Sequence, residues 1–122
     1  DHLQLASLII EYKAGISGLA RQIAGNAAQG NGGGSYLGVL NNCTLSDNAA
    51  AVQGGGIFGA VLRNCIVYYN TAPAAASNHL SGTFVSSCTA PLPGGVGNIA
   101  GPPQFLDRGA ADYRLAHGSP CI

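Results

Sequence analysis

Residues able to carry acid–base chemistry are few and widely spaced in this sequence. The acidic residues are Asp1, Glu11, Asp47, Asp107 and Asp112, and the histidines are His2, His79 and His117. Hydrolysis of a glycosidic bond needs two carboxyl groups at a defined separation. Only Asp47 lies within a regular repeat, and the residue at the equivalent position of the next repeat is Tyr69, so the repeat stacks no carboxylate pair. The acids therefore predict no hydrolytic site.

One mixed group of side chains can still be built, with His79, Arg63 and Asp47 on one side of the chain. It is a hypothesis only, because the three histidines share no spacing and each is expected to serve a loop. Asp107 and Asp112 are expected to cap turns or to pair with a neighbouring arginine. No nucleophile–base triad, phosphate-binding loop or metal motif is present in the sequence. These observations predict a protein without catalysis of its own, without a cofactor and without a metal.

The cysteines point to a structural role. Cys43, Cys65 and Cys88 fall at equivalent positions of a repeat, and Cys121 lies in the terminal segment. Stacked residues have parallel Cβ directions, which suits a disulfide poorly. We therefore expect buried thiols that act as small apolar side chains, with Cys121 either free or paired. No Cys-x-x-Cys spacing or neighbouring histidine supports a metal site.

The element that must position these residues is a repeat of 22 residues. Residues 26–47 and 48–69 share ten identities at one fixed offset. The shared residues are Asn-Ala-Ala at 26–28 and 48–50, Gly-Gly-Gly at 32–34 and 54–56, Val-Leu at 39–40 and 61–62, and Asn-Cys at 42–43 and 64–65. A fixed period in this range indicates a solenoid.

Alternation inside the repeat identifies the kind of solenoid. Cys65 and Val67 share one face, whereas Ile66 and Tyr68 share the other, which is the period of a half-buried strand. A triple glycine would break a helical repeat, and too few leucines recur for a leucine-rich repeat. Glycine runs and asparagines supply the corners. The sequence thus predicts an all-β fold, a right-handed parallel β-helix of about four rungs.

Equivalent residues of successive rungs should form columns, because the rungs stack about 4.8 Å apart. The predicted columns are Asn26–Asn48–Asn70, Cys43–Cys65–Cys88, Leu45–Val67–Ala90, Val39–Val61–Phe84 and Leu40–Leu62–Val85. Stacked asparagine amides can satisfy backbone groups at a buried corner. The third rung, residues 73–90, is degraded: residues 76–78 replace the glycine run, and the cysteine spacing grows from 22 to 23.

The chain is expected to be one domain, residues 1–122, with the rungs at 25–90. Residues 1–24 have a helical spacing that predicts an amphipathic cap, with strands or a contact to a neighbouring subunit as alternatives. That spacing is formed by Leu5, Leu8, Ile9, Tyr12, Ile16, Leu19 and Ile23. Residues 91–104 are rich in Pro and Gly and predict a loop. Residues 105–122 are expected to cover the last rung through Phe105, Tyr113, Leu115 and Ile122.

The amino-acid composition argues against nucleic-acid binding and against a membrane span. Charged residues make up 8% of the 122 residues and the formal net charge is zero, so no basic stripe favours nucleic acid. No apolar run reaches the ~18 residues that a membrane span needs. A surface this poor in charge resists self-association weakly. With no initiator Met and no signal peptide, we expect a mature product or a fragment of a longer chain.

Two stretches carry a family resemblance. Residues 42–49 (Asn-Cys-Thr-Leu-Ser-Asp-Asn-Ala) and 54–59 (Gly-Gly-Gly-Ile-Phe-Gly) resemble the rungs of bacterial right-handed parallel β-helix repeat proteins, with signatures similar to those of polymorphic outer-membrane proteins. The ending at 103–107, 112–115 and 118–122 resembles the closing segment of β-helix surface proteins and polysaccharide lyases. The resemblance covers residues 25–122. It implies a secreted or cell-surface bacterial protein, and some proteins with this ending degrade polysaccharides.

Three functions follow as hypotheses. The first is a structural or adhesive surface module that assembles with copies of itself into oligomers or filaments. The second is a carbohydrate-binding module whose outward aromatic side chains stack on a glycan. Its candidate ligand-binding residues are Tyr36, Phe58, Tyr68 and Tyr69. The third is the C-terminal end of a polysaccharide lyase or glycosidase. We favour the first hypothesis, in which the chain has no catalytic activity of its own.

Overall fold

The computed structural model describes residues 21–73 and 76–121, and these residues form fourteen short β-strands and one 3-10 turn. The strands are β1 (Arg21–Ala24), β2 (Ala27–Ala28), β3 (Ser35–Tyr36), β4 (Val39–Asn41), β5 (Cys43–Ser46), β6 (Ala49–Ala50), β7 (Ile57–Phe58), β8 (Val61–Arg63), β9 (Ile66–Tyr68), β10 (His79–Leu80), β11 (Thr83–Val85), β12 (Cys88–Thr89), β13 (Phe105–Asp107) and β14 (Asp112–Leu115). The 3-10 turn covers Arg108–Ala110.

The strands stack in parallel into a β-solenoid of about three turns. The largest sheet runs in the order β1-β5-β9-β12, and two three-stranded sheets run in the orders β10-β7-β3 and β11-β8-β4. β2 pairs with β6 in a fourth parallel sheet. Each of β1 to β12 therefore pairs with its equivalent in a neighbouring turn, which confirms the predicted all-β parallel solenoid, and β13 and β14 form a separate antiparallel pair. The described residues form about three turns, fewer than the four expected.

The interior is filled by columns of apolar side chains. Ile23, Leu45 and Val67 are fully buried in one column, in register across β1, β5 and β9. A second column holds Leu40, Leu62 and Phe84. Because apolar residues of successive turns lie in register within these columns, the core continues from one turn to the next.

Corner residues give each turn its shape. The backbone is left-handed at Asn42, Asn64 and Ser86, which occupy the same corner of three successive turns. Asparagine tolerates this conformation better than most residues because its short amide can bond locally. The side chains also stack, since Asn64 Nδ2 donates to Asn42 Oδ1 at 2.6 Å.

The glycine run is required by the close approach of neighbouring turns. A Cβ added at Gly33 would overlap the carbonyl oxygens of Ala49 and Gly55, and one at Gly55 would overlap those of Thr71 and Ser77. Real Cβ atoms do not approach backbone oxygens this closely, so no larger residue fits without moving a turn.

The register of the third turn differs from the predicted one. Phe84 lies opposite Leu62, and Cys88 lies opposite Ile66, so the offset stays at 22 residues. Thr89, not Ala90, therefore continues the Leu45–Val67 column. The 23-residue cysteine spacing was misleading because the hydrogen-bonded ladder, not the residue type, sets the register.

The two ends of the solenoid are built differently from the expected caps. Arg21–Ala24 is a strand of the first turn, so the helical spacing that included Ile23 does not extend this far. The rest of the predicted N-terminal cap lies outside the described residues. At the other end, the loop after β12 closes the last turn: Asn98 Nδ2 donates to Phe84 O, and Ser86 N donates to Val96 O. The β13–β14 hairpin lies instead against the side of the solenoid.

Candidate functional site

Two of the predicted ligand-binding aromatics form a flat pair on the outside of the solenoid. Tyr36 and Phe58 are in register in β3 and β7, with ring centroids 5.5 Å apart and ring planes inclined by 12°. Both side chains are half-exposed, while their neighbours Ser35 and Ile57 point inward and are buried. The strand alternation thus places two parallel, stacked rings on the outside of the solenoid, where both are half-exposed.

Apolar side chains extend this exposed pair. Val39 is 66% exposed and Val61 is 37% exposed, and they stack in register at the start of β4 and β8. Leu37, between Tyr36 and Val39, is also exposed. We call Tyr36, Leu37, Val39, Phe58 and Val61 the outer strip. Residues 35–41 and 57–62 contain no charged side chain.

The other two predicted aromatics serve the fold instead. The Tyr68 hydroxyl donates to Ala100 O at 2.8 Å, and burial raises its pKa. The Tyr69 ring lies 6.0 Å from that of Phe105, and the Arg108 guanidinium stands 4.1 Å above its centroid. Both tyrosines therefore hold the C-terminal segment against the solenoid rather than facing solvent as a platform.

Asp47 is the polar centre of this C-terminal contact. Its Oδ1 accepts from Arg108 Nε at 3.0 Å and Nη2 at 2.7 Å, and its Oδ2 accepts from the Tyr113 hydroxyl at 2.5 Å. Burial, followed by the hydrogen bond to Asp47, raises the pKa of Tyr113 to about 12. We call Asp47, Tyr69, Phe105, Arg108 and Tyr113 the clasp. No local pattern in the sequence indicates the clasp, because its residues come from distant segments, as with Asp47 and Tyr113, which are 66 positions apart.

Asp107, Asp112 and His79 have structural partners, whereas Asp1 and Glu11 lie outside the described residues. Asp107 accepts from Ala110 N, and Asp112 pairs with Arg114, which lowers the pKa of the Asp112 carboxyl to about 2. His79 Nε2 lies 2.8 Å from Pro91 O, and its ring packs on Phe84. The hypothetical group of His79, Arg63 and Asp47 is not assembled, since Asp47 belongs to the clasp. His2 lies outside the described residues.

The predicted asparagine column forms a continuous buried ladder. Asn48 Oδ1 accepts from Asn26 N at 3.0 Å, and Asn70 Oδ1 accepts from Asn48 N at 3.0 Å. Asn78 extends the ladder although it is only eight residues further on, because its Oδ1 accepts from Asn70 N. The amides of Asn48, Asn70 and Asn78 also donate to main-chain oxygens, those of Ile23, Leu45 and Ala90 respectively. A sequence comparison by fixed offset could not find Asn78, which aligns with Gly56.

The cysteines divide into two environments, and all four are thiols in the structure. Cys43 and Cys65 are buried in successive turns, and the hydrogen bond to Cys43, together with burial, raises the pKa of Cys65. Cys88 does not continue their column, since Ser87 takes the place opposite Cys65 and accepts from its N–H. Cys88 is buried beneath the C-terminal segment, where its Sγ donates to Gly101 O at 3.1 Å.

Within residues 21–73 and 76–121, no group of three or more His, Cys, Asp or Glu side chains is placed to hold a metal ion. The same part of the chain contains no helix long and apolar enough to cross a membrane. Compared with known protein families, curated proteins and solved structures, the chain matches none significantly. The class of the protein, a parallel β-solenoid, therefore rests on its strand register and stacking.

Proposed function

We propose that this chain is a non-catalytic structural and adhesive module, secreted or displayed on a bacterial surface, of the kind that its rungs resemble. The observation that carries the proposal is the Tyr36–Phe58 pair, which is held in register and left half-exposed. Soluble proteins rarely leave contiguous apolar surface exposed unless it binds something. The outer strip supplies such a surface on rigid strands.

The site on which the module adheres is the side of the solenoid rather than its C-terminal end. Asn98 and Val96 already engage the main chain of the last turn through Phe84 O and Ser86 N. A strand edge that is bonded to its own chain is a poor template for another copy. Self-assembly, in this proposal, is therefore lateral and uses the outer strip.

A glycan is the second candidate partner, and the ring geometry favours it. The two stacked rings are 5.5 Å apart and half-exposed, so their exposed edges and outer faces offer aromatic surface to the apolar face of a sugar. The uncharged surroundings suit a neutral sugar better than an acidic one. A polysaccharide-degrading role is less favoured, because the carboxylate of Asp47 is engaged by Arg108 and Tyr113.

Sedimentation velocity over a hundredfold range of protein concentration, together with titration of neutral and acidic oligosaccharides, tests the proposal. Phe58→Ala should remove association or glycan binding, whereas Val96→Ala, at an exposed apolar position on the closing loop, should not. A monomer that binds a neutral oligosaccharide through Phe58 would favour the glycan. Association that persists unchanged in Phe58→Ala would reject the outer strip as the adhesive surface. Cleavage of an acidic polysaccharide by the chain alone would reject the absence of catalysis.

A further inference from the structure

Cys88 is positioned for chemistry that the other buried cysteines are not. It pairs with Ile66, whose side chain is on the outer face, and so Cys88 is directed away from the apolar columns. The C-terminal segment covers it, because its Sγ donates to Gly101 O at 3.1 Å and its backbone bridges to Ile99.

The chain returns to this place at Cys121. Ser119 is buried and its hydroxyl donates to Pro103 O, while Cys121 N donates to Ser119 Oγ at 3.0 Å. The Pro120 ring lies 3.6 Å from the position that a Cβ on Gly101 would occupy. Gly101 is thus in contact with Pro120 on one side and with the Cys88 thiol on the other, which brings the residue after Pro120, Cys121, to the side of the chain where Cys88 lies.

The two cysteine pairs differ in how they approach each other. Cys43 and Cys65 directly precede the paired residues Thr44 and Ile66 of adjacent parallel turns, so we expect their Cβ directions to run alongside one another and to suit a disulfide poorly. Cys88 comes from a strand of the solenoid, whereas Cys121 comes from a segment laid across it. Opposed elements of this kind can turn two Cβ atoms toward each other. Cys121 is also half-exposed, so a reagent can reach it.

We propose that Cys88 and Cys121 form a redox-active dithiol whose disulfide fastens the C-terminal segment to the third turn of the solenoid. The oxidant is a disulfide-exchange partner, either a small disulfide or a protein disulfide. The exposed Cys121 thiolate attacks one sulfur of that disulfide, giving a mixed disulfide and releasing one thiol. Cys88 then loses its proton and attacks the Cys121 sulfur, which releases the second thiol. Two electrons pass from the protein to the oxidant, and two thiol hydrogens leave the protein as the two released thiols.

The disulfide would add a covalent link between two parts of the chain that hydrogen bonds, such as that from Cys88 Sγ to Gly101 O, hold at present. A covalent link restricts the unfolded chain and so stabilises the folded one. Burial, and then the hydrogen bond to Cys121, raises the pKa of Cys88 to about 12. The ring-closing step needs the Cys88 thiolate, so it should be slow at neutral pH and faster at alkaline pH.

The test is to reduce the full chain, expose it to excess oxidised glutathione, and count alkylatable thiols by mass spectrometry. We expect four thiols before oxidation and two after it, with the tryptic peptide 64–108 linked to peptide 115–122. Fragmentation should place the link at Cys88 rather than at Cys65. The Tm of the oxidised chain should rise by at least about 5 °C.

Three variants distinguish a Cys88–Cys121 disulfide from the other possible cysteine pairs. Cys65→Ser should still lose two thiols, whereas Cys88→Ser and Cys121→Ser should form no intramolecular link. Cys121→Ser is the main control, because its half-exposed position allows the substitution without disturbing the core. Four thiols persisting in the oxidised wild type, a glutathione adduct that remains at Cys121, or a link from Cys121 to Cys43 or Cys65 would each overturn the proposal.

Discussion

The outer strip and the clasp both contain outward-pointing aromatic side chains, but only those of the clasp are covered by the C-terminal segment. Tyr36 and Phe58 stack on each other in successive turns and stay half-exposed, whereas Tyr69 is covered by Arg108 and Phe105. Both sets of rings point outward from a short strand or corner of a parallel ladder. The difference arises because the β13–β14 hairpin reaches one side of the solenoid and not the other. An outward aromatic residue in a solenoid is therefore a binding candidate only after the course of the terminal segment is known.

The largest expected loss of stability comes from a substitution that disrupts the outer strip and the clasp together. In Gly55→Ala, the added Cβ would overlap the carbonyl oxygens of Thr71 and Ser77, so the second and third turns could not stack. We expect a loss of more than about 4 kcal/mol in the free energy of unfolding, or no folded protein. Chemical denaturation measures it. Gly94→Ala is the matched control, since nothing lies within 4 Å of its added Cβ; equal stability of the two variants would contradict the stacking argument.

The asparagine ladder should come next in size. Asn48→Leu would leave Asn26 N and Ile23 O buried without the partners that the amide supplies. We expect a loss of about 2–4 kcal/mol in the free energy of unfolding, because orphaned buried polar groups are costly. Asn64→Leu, at an exposed corner, is the comparison and should cost less. A larger loss for Asn64→Leu would mean that the left-handed corner, and not the buried ladder, limits stability.

A smaller loss of stability should affect the clasp and leave the outer strip unchanged. Asp47→Asn removes the charge that accepts from Arg108 and Tyr113, and we expect the hairpin to lose about 1–2 kcal/mol of local stability. Faster tryptic cleavage after Arg108 and Arg114 would report it. Asp112→Asn is the control, because it breaks an ion pair inside the hairpin only. The Tyr36–Phe58 face should bind as before, and its loss in Asp47→Asn would show that the two regions are coupled.

The stability of the clasp should also fall at alkaline pH. Tyr113 has a pKa of about 12 in the folded chain and 10.0 ordinarily, so the neutral phenol is favoured by folding. Its stabilising contribution is complete below pH 10, and it falls as the pH rises from 10 to 12. Amide exchange of residues 105–115 across this range measures the effect. Asp47→Asn should weaken the dependence, and an unchanged profile in that variant would leave burial as the whole cause.

The smallest change in stability should come from the outer strip itself. Phe58→Ala removes a half-exposed ring that packs on Tyr36, and we expect a loss of about 1 kcal/mol or less in the free energy of unfolding. Tyr69→Ala should cost more, because that ring contacts Phe105 and Arg108. Thermal unfolding of the two variants side by side makes the comparison. Equal losses would mean that the clasp contributes nothing beyond the ladder on which it sits.

The sequence alone determined the architecture because a repeat is a local signal. Ten identities at an offset of 22, a strand alternation and a glycine run are all readable within two turns, and together they required parallel stacking. The Asn26, Asn48 and Asn70 column followed from the same offset. The pattern also suggested that Cys88 would continue the cysteine column, since residue type was the only guide where the repeat decays.

Only the tertiary structure decided the contacts between segments that are far apart in the sequence. The hydrogen-bonded ladder kept the third turn at its 22-residue register, which moved Cys88 to the outer face and brought it to Cys121. The hairpin covered Tyr69 and engaged Asp47, but it left Tyr36 and Phe58 open. No short-range pattern encodes where a terminal segment packs, because that choice depends on the fit of whole surfaces formed only after the turns have stacked.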